Sequence, residues 1–108
     1  MKIIVETLKV ISMKKFTIIA NFRGGTFVSQ YDAYSVVEAI LKWAENLDLQ
    51  YFQEKEKRKI MKELKDWGHE FPPTLLDGLT NVWYKHINVY RRFVDMNIVE
   101  TVGNFKVD

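Results

Sequence analysis

Between Phe16 and Phe22 the chain alternates. Phe16, Ile18, Ala20 and Phe22 form one set, and Thr17, Ile19 and Asn21 the other. A period of two puts every second side chain on one face, so this run predicts a β-strand with one strongly apolar face. A second alternation sets Phe27, Ser29 and Tyr31 against Val28, Gln30 and Asp32. It is more polar, and predicts a partner strand with part of one face in solvent. Between the two runs stands Gly24-Gly25. Glycine alone takes φ > 0 at both central positions of a two-residue turn without strain, so the diglycine predicts a β-hairpin.

The period then changes. Val36, Val37, Ile40, Leu41, Ala44 and Leu47 recur at helical spacing, and Trp43 widens the stripe, which predicts an amphipathic helix across the hairpin. Ser35 and Glu38 give the spacing of a capping box at its start. Gln53 to Asp66 reads as a charge-rich helix. Glu54 precedes Arg58 by four residues, an orientation that contributes about 0.2–0.5 kcal/mol when exposed. Ile60, Met61, Leu64 and Trp67 supply a docking face, and Gly68 a stop.

His69-Glu70-Phe71-Pro72-Pro73 predicts a stiff, non-helical connector. Thr74 to Leu79 predicts a single short turn ended by Asp77-Gly78. Thr80–Tyr90 and Phe93–Val102 predict a second strand pair, with Val94, Met96, Ile98 and Val102 on one face. The link Tyr90-Arg91-Arg92-Phe93 has no Gly, Asn or Pro, which leaves its turn type open. The order is (β)ββ-α-α-ββ. It predicts one α+β domain over residues 1–108, an antiparallel sheet of four or five strands with two helices on one face. Residues 1–12 read as a first strand or as a leader from an early start, with Met13-Lys14-Lys15 offering a second start. Glu6 and Lys9 interrupt the run Ile3-Ile4-Val5, so it is no membrane span, which needs about 20 mostly apolar residues.

Composition adds little to this picture. A chain of 108 residues with 47% hydrophobic content can bury one core. It has no cysteine, which excludes disulfides, thiol chemistry and cysteine-based zinc sites; the cytoplasm is the default compartment. A net charge of +2 is too small to argue for nucleic acid or membrane by itself. The charge is uneven, however. Lys2, Lys9, Lys14, Lys15 and Arg23 precede a stretch carrying Asp32, Glu38, Glu45, Asp48 and Glu54.

No combination of residues reads as an enzyme centre. His69 lies in the connector and His86 in a strand, without metal-ligand spacing between them. Asp95 and Glu100, five apart in a strand, face opposite sides. Arg23-Gly24-Gly25-Thr26 has the composition of an anion loop, but a strand follows it where a phosphate loop has a helix. Arg91-Arg92 between Tyr90 and Phe93 has the basic-aromatic character of a nucleic-acid contact, and equally that of a charged sheet tip. The lysine-rich helix carries Glu54, Glu56, Glu63 and Asp66 among its bases and reads as a mixed, solvated face rather than a membrane helix.

The run from Gly24 through Tyr34 into Ser35-Val36-Val37-Glu38-Ala39-Ile40 resembles the strand–turn–helix of HicB-like antitoxins. There a glycine turn, a short strand and a polar turn lead to a helix that opens on a Glu-Ala pair, here Glu38-Ala39. The likeness covers residues 24–46. Tyr31-Asp32-Ala33 stands where that family has Gly-Asp-Thr, and the charged second helix and final strand pair exceed its core. In size and style the chain also resembles small bacterial toxin-immunity proteins. Either resemblance implies a non-enzymatic protein that binds a protein partner, without cofactor, metal or catalytic residues. The expected contact surface is the exposed side of the sheet. Its expected anchors are Arg23, Tyr31, Trp83, Tyr84, Tyr90, Arg91 and Arg92, although each aromatic among them also fits a packed core. The alternatives are nucleic-acid binding through the basic tip and homo-oligomerisation through strand edges.

Overall fold

The computed structural model of the protein describes residues 13–67 and 71–101. The proposed first strand or leader, the Gly68 stop, His69, Glu70 and Val102 lie outside the described residues, as does the side chain of Trp67. The described elements are β1 (Lys14–Phe22), β2 (Gly25–Ala33), α1 (Val36–Glu45), α2 (Glu54–Trp67), β3 (Thr74–Leu75), β4 (Val82–Val89) and β5 (Arg92–Thr101). They form the expected α+β architecture: one antiparallel sheet in the order β2-β1-β5-β4-β3, with both helices on one face.

The alternation read from sequence becomes the division between the two faces. Phe16, Ile18, Ala20 and Phe22 of β1 are buried, as are Val94, Met96 and Ile98 of β5 and Ile87 and Val89 of β4. Against them α1 packs Ala39, Ile40, Trp43 and Ala44, and α2 packs Ile60 and Leu64. α1 lies over β1 and β2, and α2 over β4. Ser35 caps α1, its Oγ accepting from the Glu38 N–H at 3.2 Å, which supplies a partner to an otherwise orphan donor. The Glu38 carboxylate pairs with Lys42 one turn on, at 3.6 Å. The connection between the helices buries Phe52, which stacks on Phe22 with centroids 5.1 Å apart and meets Trp43 edge-on at 6.4 Å.

The first hairpin turn sits one residue earlier than the diglycine suggests. Phe22 pairs with Gly25, so Arg23 (φ 51°) and Gly24 (φ 77°) are the central residues, both left-handed. Gly25 is strand instead, and a Cβ there would lie 3.1 Å from the Phe27 ring. The second hairpin repeats this geometry without any glycine. Val89 pairs with Arg92, leaving Tyr90 (φ 50°) and Arg91 (φ 70°) as the two left-handed central residues. Such a turn favours Asn-Gly, and left-handed backbone costs an ordinary residue about 1–2 kcal/mol.

Thr74 to Leu79 is not a lone turn. Thr74 and Leu75 pair with Tyr84 and Trp83 as the outermost strand, the Leu76 N–H donates to the Val82 carbonyl at 2.9 Å, and Gly78 (φ 78°) closes the link to β4. Pro72 and Pro73 precede this strand. Neither has an N–H to give to a ladder, so β3 cannot extend backward along β4, and His86 and Asn88 lie beyond its end.

Candidate functional site

The strand alternation leaves one sheet face without a helix among the described residues. Its rows read Val28–Ile19–Asn97–Tyr84, Gln30–Thr17–Val99–Val82 and Thr26–Asn21–Asp95–His86, with Phe93 beside Asn88 toward one end. Polar side chains here are tied to each other. Gln30 donates to Thr17 at 2.9 Å, Thr26 to Asn21 at 2.7 Å, and the Thr17 and Thr101 hydroxyls meet at 3.2 Å. Among the apolar ones Ile19, Val82 and Val99 are half-buried, while Val28 at 63% exposure and Phe93 at 54% are left open. Along β4 and β5 the rings of Tyr84, His86 and Phe93 form a chain, with centroids 6.1 and 5.6 Å apart. The Tyr84 hydroxyl donates to Asp95 at 2.7 Å, and this bond to a carboxylate raises its pKa above the ordinary tyrosine value. His86 stands opposite Asp95 in the register, but its ring contacts are with Tyr84 and Phe93.

Both hairpin turns lie at the same end of the sheet, because β1 ends where its antiparallel neighbour β5 begins. The first turn of α2 sits there too. Glu56 is 3% exposed; one carboxylate oxygen takes the Arg23 guanidinium and the other accepts from the Gln53 N–H at 2.7 Å. Arg23 also lies over the Phe22 ring, 4.8 Å from its centroid. One buried carboxylate thus closes the helix start and anchors the first turn. Across from it Lys55 stands 5.4 Å from the centroid of Tyr90. Tyr90 is 54% exposed, and Arg91 and Arg92 are exposed beside it. On the next turn of α2, the hydrogen bond that Lys59 donates to the Glu63 carboxylate raises the pKa of Lys59.

A groove of about 910 Å³ runs along the outer edge of β4 beyond the end of β3. Leu64, Ile87, Phe71 and Pro72 give it apolar walls, and Glu63, Lys85 and His86 line it with charge and imidazole. Burial lowers the pKa of Lys85, which donates to the Phe71 carbonyl and so ties the connector to the strand. Among the described residues no group of three or more His, Asp or Glu is placed to hold a metal ion, and no helix is long and apolar enough to cross a membrane.

The structure therefore separates the seven residues expected as anchors. Tyr90, Arg91 and Arg92 form the second hairpin tip, and Tyr84 lies on the open face. Tyr31 and Trp83 are on the helix side, partly buried against the core, with Trp83 edge-on to Phe16 at 6.0 Å. Neighbours in a strand face opposite ways, so Trp83 and Tyr84 cannot serve one surface. Arg23 is at the first turn, engaged by Glu56. Sequence reasoning missed Glu56 itself, although its place three residues after Gln53 is the spacing of a capping contact. It also missed Phe93 and His86 as part of the open face. Compared with known proteins, the chain matches no family model, no curated protein and no solved structure.

Proposed function

We propose that the protein is a small, non-enzymatic protein-binding module that docks a partner on the open face of its sheet. The observation that carries this is the exposure of Val28 and Phe93 on a face where Thr26 and Asn21, Gln30 and Thr17, and Tyr84 and Asp95 are already bonded to one another. Apolar side chains within a polar frame are the anatomy of a contact surface, since their burial is favourable and the frame needs little rearrangement. The kind of module this reading favours is a cytoplasmic toxin-neutralising protein of the immunity or antitoxin sort, on the strength of size, style and the likeness over residues 24–46.

The test is affinity capture from nuclease-treated host lysate with the wild-type chain and with Val28→Glu. The substituted site is exposed, so the fold is expected to persist and can be checked by circular dichroism. A stoichiometric protein held by the wild type and lost with Val28→Glu is the expected result. Co-expression should then show that the captured protein is toxic without its binder. A partner retained undiminished by the variant, or recovered only when nuclease is omitted, rejects this surface.

A further inference from the structure

The end of the sheet holds a second surface with a different chemistry. The cations there fall into two groups. Arg23, Arg58 and Lys59 are neutralised by Glu56, Glu54 and Glu63. Lys55, Arg91 and Arg92 have no carboxylate partner among the described residues, and Lys55 and Arg91 flank the exposed ring of Tyr90. Next to Arg92 in the chain, Phe93 opens the ring series that continues through His86 to Tyr84 on the uncovered face. Unpaired cations at a tip, leading onto a row of aromatic rings, are the two components a single strand of nucleic acid requires: charge for phosphates and flat surfaces for bases. The backbone supports the same reading. Asn-Gly would sit at these φ values without strain, so the chain gives up stability to display Tyr90 and Arg91.

We propose that this end of the sheet binds single-stranded nucleic acid. Lys55 and Arg92 on the helix side and Arg91 at the turn hold phosphates. The nucleic-acid strand passes over the end of the sheet, so that bases stack on Tyr90 and, on the opposite face, Phe93. Asp95, held by the Tyr84 hydroxyl beside the ring track, accepts from a base N–H, such as the N3–H of uracil or thymine. A duplex keeps its base faces covered and cannot use the rings. The site shares Phe93 with the protein-docking reading but does not rest on it, because Val28, the residue that tests that reading, lies on β2 at the far side of the sheet.

Fluorescence anisotropy with labelled dodecamers of uridine and of thymidine tests this on the full chain, titrated in salt between about 50 and 200 mM. Arg91→Ser with Arg92→Ser should weaken binding at least about tenfold and flatten the log–log salt slope by about 1.4, two phosphate contacts at about 0.7 each. Phe93→Ala should weaken it about fivefold or more and leave the slope unchanged, as lost stacking does. Tyr90→Asn with Arg91→Gly writes the preferred turn, so its loss of binding cannot be blamed on misfolding. Val28→Glu should leave both affinities within about twofold, which separates this site from the docking face. Tighter binding of the uridine strand marks RNA as the ligand, and of the thymidine strand, DNA. Undetectable binding of both strands overturns the proposal, as does undiminished binding by the double Arg variant or a duplex bound as tightly. Phosphatidylserine vesicles bound in place of either oligonucleotide would overturn it as well.

Discussion

The two hairpin turns are built alike and used differently. Each has two left-handed central residues, each contains an arginine, and both stand at the same end of the sheet beside the first turn of α2. In the first, glycine relieves half of the strain and Arg23 is drawn inward by a carboxylate 3% exposed. In the second, no glycine relieves anything, and neither arginine has a carboxylate partner among the described residues. A cation's role is thus decided less by its turn than by what the neighbouring helix offers it. Glu56 makes Arg23 part of the scaffold, whereas Lys55, a cation at the adjacent position, leaves Arg91 and Arg92 to solvent.

Three variants test that contrast, all read as urea midpoints. Arg23→Met should do the most damage, about 2 kcal/mol. It leaves the Glu56 carboxylate buried without its counter-ion, and the cost falls below the 3–5 kcal/mol of a fully buried pair because the Arg23 side chain is 32% exposed. A change under about 0.5 kcal/mol would mean that the pair is structurally idle. Tyr90→Asn with Arg91→Gly should move the midpoint upward, by about 1 kcal/mol, through relief of left-handed strain. A downward shift would show that the contact between Lys55 and Tyr90 outweighs that strain. Arg91→Met alone should stay within about 0.5 kcal/mol of the wild type, as an exposed side chain with no ion pair among the described residues does. An effect as large as that of Arg23→Met would erase the distinction.

Periodicity carried most of the fold. Phe16 to Phe22, Val36 to Leu47 and Val94 to Ile98 each announce their element because one face of each is dry. It could not locate the first turn, for a physical reason. Moving the turn from Arg23-Gly24 to Gly24-Gly25 shifts the pairing by two residues and leaves every side chain on the same face. What selects between the registers is tertiary: the grip of Glu56 on Arg23, and the Phe27 ring lying where a Cβ on residue 25 would be. β3 was illegible because two residues have no period, and its limit is set by two prolines rather than by an apolar pattern. Of the site, the Tyr90–Phe93 tip was readable as basic and aromatic. The row that continues it was not, since Tyr84, His86 and Phe93 meet only across two strands.

The strand order has a consequence for how the chain is made. Its central ladder joins β1 to β5, the first and last described strands, and brings Thr17 against Thr101 across 84 positions of sequence. Closing so long a loop is entropically slow compared with forming either hairpin. During synthesis the first hairpin and both helices leave the ribosome with the inner edge of β1 unpaired, and only the arrival of β5 seals it. A chain cut short before residue 92 therefore holds the first hairpin, its helices and the β3–β4 pair without the strand that joins them, and leaves an open edge on β1 and on β4 for another chain to join.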